Sequence, residues 1–150
     1  ENTDDIQRLQ EIVHALNTIH KTIAPVVLPL HPRTRNVLAK ENIPLKVCVI
    51  EPVGYLEMIW LLDHCQLVLT DSGGVQKEAF FFKKPCVTMR DQTEWVELIE
   101  AGANQLAGAD SKKIVDAVNV MLNRTISDPY ELYGGGKASA SIAQYISQHI

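Results

Sequence analysis

"VLTDSGGVQKEA", residues 68–79, decides the fold. Its first half, Val68-Leu69-Thr70, is short and apolar. Its second half, from Val75 onward, has helical spacing. Between them stand Asp71, Ser72, Gly73 and Gly74. A buried strand that turns through Ser-Gly-Gly into a helix places that helix's N-terminus beyond the strand's C-terminal end. There, in a parallel α/β sheet, ligands bind. The helix start offers unpaired amides and a partial positive charge. Glycine keeps a Cβ out of the way of an approaching phosphate. Ser72, Gly73 and Gly74 therefore form a candidate phosphate cradle. Glu78 falls about one turn beyond Gly74 and can face the same crevice, where a carboxylate would accept both hydroxyls of a ribose. A tight turn followed by a solvated Glu fits the spacing equally well. The stretch is neither a P-loop nor a G-x-G-x-x-G dinucleotide fingerprint.

The rest of the chain repeats the same alternation. Apolar residues at Ile6, Leu9, Ile12, Val13, Leu16 and Ile19 predict a helix over 4–21, capped by Thr3 or Asp4. Strands are predicted at 26–30, 46–50, 66–70, 85–89 and 104–108, and helices at 33–40, 55–64, 75–82, 93–101, 111–123 and 137–149. In the helix over 55–64, Leu56, Ile59, Trp60 and Leu62 or their neighbours are expected to point inward. The strands read as continuously apolar, which marks a parallel sheet buried on both faces by helices. Gly134-Gly135-Gly136 is the one stretch that reads as flexible. The expected fold is one Rossmann-like α/β domain with helices on both faces.

Composition narrows the function classes. The chain has 150 residues, 46% hydrophobic and 21% charged, which suits one globular domain with a real core. A net charge of −4 and the lack of a dense Lys/Arg stripe argue against nucleic acid. No apolar run approaches the ~20 residues of a membrane span, and the N-terminus does not read as a signal peptide. Cys48, Cys65 and Cys86 are odd in number, and Cys48 and Cys86 sit in apolar runs. They read as core thiols of a reducing cytoplasm rather than as a metal site. The chain opens without Met, as a piece of a longer protein would.

"TDSGGVQKEA" (70–79), "LPLHPRTR" (28–35) and "RDQTEWVELIEAG" (90–102) together resemble the non-hydrolysing UDP-N-acetylglucosamine 2-epimerase family, and the similarity runs across nearly the whole chain. The resemblance implies two Rossmann-like domains facing across a cleft, the glycosyltransferase-B architecture. Residues 1–150 match only the second, C-terminal, UDP-binding domain. It implies that Ser72, Gly73 and Gly74 bind the diphosphate, that Glu78 binds ribose, and that Met58 lies near the uracil. The family reaction inverts C2 of a UDP-2-acetamido sugar, by elimination of UDP to a glycal and its re-addition. The acid/base carboxylates belong to the other domain. A functional His belongs to a segment ending in Glu1-Asn2. The fragment therefore carries no catalytic residues of its own and is expected to be inactive alone.

Two departures stand out. The usual Q-E-E-A reads Gln76-Lys77-Glu78-Ala79, and the usual T-E-R-P-E reads Thr93-Glu94-Trp95-Val96-Glu97. An Arg that helps hold UDP is thus Trp95. The pattern looks more like the branch acting on UDP-2,3-diacetamido-glucuronic acid, and Arg90 is a candidate for the compensating charge. Neither cofactor nor metal is implied. The parent is expected to be a cytoplasmic homodimer of cell-surface polysaccharide biosynthesis.

Other residues keep two readings. His31 is a sugar-nucleotide or effector contact, or a loop cap. Arg90 and Glu94 bind in the crevice or form a local ion pair. Trp95 lines the cleft or packs. Tyr55 stacks near the base or is incidental, and Trp60 reads as core. A glycosyltransferase of the same two-domain fold, which uses a similar Glu for ribose, and a non-catalytic nucleotide sensor are the alternative functions.

Overall fold

The computed structural model describes residues 2, 4–127 and 130–149. Its elements run in the order α1 (Ile6–Thr22), β1 (Val27–Pro29), α2 (Pro32–Lys40), β2 (Cys48–Ile50), α3 (Tyr55–His64), β3 (Val68–Thr70), α4 (Gly73–Phe81), β4 (Cys86–Thr88), α5 (Val96–Glu100), β5 (Asn104–Leu106), α6 (Ser111–Met121), α7 (Tyr130–Tyr133), a 3₁₀ turn (Gly134–Gly136) and α8 (Ala138–His149). The predicted alternation holds through α6, and α7 is a short helix that the sequence reading lacks. The helix expected from residue 75 begins at Gly73, so both glycines lie inside its first turn. Thr3 lies outside the described residues. The cap of α1 is Asp5, whose carboxylate accepts the amides of Gln7 and Arg8 at 2.9 and 3.2 Å.

All the strand pairs are parallel. β1 pairs with β2, and β3, β4 and β5 form a second sheet in that order. Within the second sheet the two-residue period sorts side chains to opposite faces. Val68 and Cys86 pack with Leu62 and Ala79 of α3 and α4. Leu69 and Val87 pack with Ile12 and Leu16 of α1 and Ile114 and Val118 of α6. Helices therefore cover both faces. Val26 and Leu28, in and beside β1, join the same α1–α6 core, so the two sheets share one hydrophobic centre.

The expectation that every strand is buried on both faces fails for the first sheet. Val27 is 49% exposed and Val49 39%. Cys48, read from its apolar run as a core thiol, is exposed, whereas Cys86 is buried. β4 has a neighbour on each side and is buried throughout, while β2 has only β1 beside it among the described residues. An apolar run marks a strand but not its place in the sheet. Similarly, Leu56 and Trp60 lie on the outer face of α3 rather than inward, and Trp60 stacks on His64 with ring centroids 4.2 Å apart. Leu62 takes the inward position. The glycines at 134–136 form a turn in which all three take positive φ, 69°, 60° and 76°, a conformation that glycine adopts at the least steric cost. No described helix is long and apolar enough to cross a membrane.

Candidate functional site

The site begins with a hydroxyl. Thr70 ends β3 buried, and its Oγ1 accepts the Ser72 amide at 3.0 Å. That bond bends the chain so that Ser72, extended at φ −88° and ψ 127°, leads into α4. The Ser72 carbonyl accepts the Gln76 amide, closing the first turn. The amides of Gly73, Gly74 and Val75 then have no acceptor within the helix. Val75 thus joins Ser72, Gly73 and Gly74 at the candidate cradle. The Ser72 N–H is already occupied, its hydroxyl makes no capping bond, and Val75 supplies the third free amide. Val75 was missed because the helix was expected to begin there rather than at Gly73.

The two glycines differ. A Cβ on Gly73 would strike the Glu94 carboxylate, and the Trp95 indole nitrogen would lie 3.5 Å from it. A Cβ on Gly74 would meet only Ser72 Oγ, at 4.0 Å. A side chain at position 73 would therefore have to displace the Glu94 carboxylate. Gly74 leaves open space in front of the cradle. Neither takes a positive φ, so neither is explained by backbone strain.

The loop after β4 closes the other side of the turn. Arg90 Nη1 lies 3.1 Å from Glu94 Oε2, an exposed ion pair. The Trp95 indole donates to the Gly73 carbonyl at 2.9 Å, and Thr93 Oγ1 donates to Gln76 Oε1 at 2.7 Å. Gln76 is buried in a chain of polar groups. Its Oε1 also accepts Asn104 Nδ2 at 3.0 Å, and Asn104 Oδ1 accepts the Thr88 hydroxyl at 2.9 Å. Gln76 Nε2 is buried without a partner among the described residues. Lys77 Nζ sits 4.2 Å from the Trp95 ring centroid and 4.3 Å from that of Tyr133, a cation held between two aromatic faces. Tyr133 donates to Glu97 at 2.7 Å, and this bond holds the Glu97 carboxyl below its ordinary value. Burial, then the Glu97 contact, raises the phenol. Trp95 and Lys77, the two departures from the family pattern, are thus in direct contact.

Glu78 is half-buried, and its carboxylate makes no hydrogen bond or ion pair among the described residues. Met58 at the start of α3 packs in one cluster with Val75 and Ala79 of α4, so it is brought beside the cradle helix. His31 is not joined to these residues by any bond. Its Nδ1 accepts the Arg33 amide at 3.2 Å and caps α2, the cap reading of the sequence. Tyr55 is 69% exposed at the start of α3. Asn2, which sequence reasoning treated only as part of a motif tail, is buried. It bonds Asp71 at 3.3 Å and the Met89 carbonyl at 2.8 Å, tying the chain start to the turns after β3 and β4. No local signal in Asn2 announces partners 69 and 87 residues away.

Comparison with known proteins agrees with the fold. The family model described as UDP-N-acetylglucosamine 2-epimerase matches residues 1–147. A Pseudomonas aeruginosa protein named UDP-2,3-diacetamido-2,3-dideoxy-D-glucuronate 2-epimerase is 64% identical over 148 residues, covering 99% of this chain and 42% of that protein. A UDP-N-acetylglucosamine 2-epimerase of Methanocaldococcus jannaschii is 40% identical over 156 residues, covering 98% and 42%. A crystal structure of the epimerase from that organism, in complex with UDP-GlcNAc and UDP, superposes with a TM-score of 0.82 at 38% identity, covering 98% of this chain and 42% of its own.

Proposed function

The chain belongs to the UDP-N-acetylglucosamine 2-epimerase family, and from that premise we propose that it is the UDP-binding half of an isomerase that inverts C2 of a UDP-2-acetamido sugar. The observation that carries this reading is the first turn of α4, where three amides and the Ser72 hydroxyl lie beyond the end of β3, with the Glu78 carboxylate one turn on, all unpartnered among the described residues. Fixed amide donors stabilise the charge that develops on a departing diphosphate. The Glu78 carboxylate suits a ribose diol, Met58 the base, and Arg90 the edge of the diphosphate. His31 keeps its capping nitrogen engaged and can offer only its other ring nitrogen to a sugar nucleotide.

The chain spans about 42% of the length of these relatives, so the whole activity is proposed for a longer parent. The groups that move the C2 proton are assigned outside residues 1–150. The pairing pattern supports a larger α/β unit. Among the described residues β1 and β3 each have a strand on one side only, yet the sheets share one core, as if one further parallel strand lay between them. The 64% identity to the diacetamido-glucuronate epimerase favours a 2,3-diacetamido uronic acid as the sugar. A homodimeric cytoplasmic parent belongs to the same reading, and sedimentation of the parent tests its dimeric state.

Calorimetric titration of the 150-residue chain with UDP and with ADP tests the proposal. UDP should bind more tightly than ADP. Equal binding of the two would remove the uracil assignment, and no binding of either would remove the cradle.

A further inference from the structure

We infer that Glu94 is a resident anion of the cradle rather than a ligand contact: its carboxylate lies over the first turn of α4 in the free chain, and a nucleoside diphosphate binds by displacing it and taking over its partner, Arg90. This rests on the reading of α4 as the diphosphate cradle.

Three observations carry the inference. First, the Glu94 carboxylate is so close to the first turn that residue 73 has no room for a Cβ. A carboxylate near unpaired helix amides is favoured there for the same reason a phosphate is. Second, among the described residues its one polar partner is Arg90, at 3.1 Å, and both side chains reach solvent. Third, the backbone around it is held independently. Thr93 is fixed by Gln76 and Trp95 by the Gly73 carbonyl. The Glu94 side chain can therefore swing into solvent while the loop stays in place.

Two anions cannot share this turn at low cost, since like charges within a few ångströms repel. A ligand must therefore bring enough negative charge to replace the carboxylate beside Gly73 and Arg90. A diphosphate does so. A neutral nucleoside does not. Glu94 thereby sets a charge threshold for what the site accepts, and Arg90 exchanges one anionic partner for another without a net loss of pairing.

The test compares the wild-type chain with Glu94→Gln and Arg90→Met, titrated by calorimetry with UDP and by NMR chemical shifts with uridine. Removing the resident charge should tighten UDP roughly three- to tenfold, the scale of one partly exposed charge pair, and leave uridine unchanged. Arg90→Met should weaken UDP by a similar factor. Unchanged or weaker UDP binding by Glu94→Gln, with UDP still bound by the wild type, overturns the displacement and leaves the cradle standing. Equal tightening of UDP and uridine overturns it as well, because the effect would then not be one of charge. If neither the wild type nor Glu94→Gln binds UDP, the cradle reading falls and this inference with it.

Discussion

Gly74→Ala tests whether Gly74 is kept for a ligand rather than for the fold. Gly74 lies in the first turn of α4 without a positive φ, so alanine can adopt its backbone conformation. The added methyl would meet only Ser72 Oγ, at ordinary van der Waals distance. Alanine also loses less chain entropy on folding. That difference is worth up to about 0.5–1 kcal/mol in a helix, or a rise of about 2–4 °C in Tm for a domain of this size. UDP binding should move the other way. Amide donors must come within about 3 Å of phosphate oxygens, and the methyl would stand in that approach. Each charge-assisted bond lost costs about 1.5–3 kcal/mol, tenfold or more in Kd. Thermal unfolding followed by circular dichroism, together with calorimetric titration of UDP, measures both. The expected pair is a higher Tm and at least tenfold weaker UDP. A lower Tm would show that the fold needs this glycine. Unchanged UDP affinity would show that no phosphate approaches here. Gly73→Ala is the contrast, because its methyl meets the Glu94 carboxylate and must displace it.

Glu78→Gln keeps the shape and removes the charge, and it should weaken UDP by about 1.5–3 kcal/mol with the unfolding midpoint near that of the wild type; equal affinity of the wild type for UDP and 2′-deoxy-UDP would exclude ribose contact. Cys48 is exposed and should be alkylated first by a maleimide, while burial holds the Cys86 thiol at a pKa of about 12 and should leave it unmodified until the chain unfolds, as mass spectrometry of the labelled peptides will report. The Glu97 carboxyl is held below its ordinary value chiefly by the Tyr133 phenol, so the folded state releases that proton more readily than the unfolded one. Its contribution to stability is present above the ordinary carboxylate pKa and is lost as pH falls through the lowered folded value. Tyr133→Phe should therefore flatten the acid limb of the stability profile measured in urea, and an identical profile would refute that coupling.

Much of this was legible in the residues themselves. The periods of helix and strand are local, so the order of elements through α6 and the parallel α/β class follow from which positions are apolar. The strand, turn and helix of the candidate cradle were legible for the same reason, because they lie within twelve consecutive residues. The sequence also showed that Lys77 and Trp95 depart from the family pattern. What it did not show was that one rests on the other, since that contact depends on how the loop after β4 folds over α4. Tertiary structure decided the rest. Strand burial depends on neighbours far away in sequence, and so Cys48 and Cys86, both in apolar runs, came to opposite environments. The free amides belong to Gly73, Gly74 and Val75 because the Thr70 hydroxyl takes the Ser72 N–H. Glu94 meets Gly73 across 21 residues and Asn2 meets Met89 across 87. Local chemistry dictates what each segment can become, while the packing of separate segments dictates which polar groups remain unpaired, and those are the groups a ligand can use.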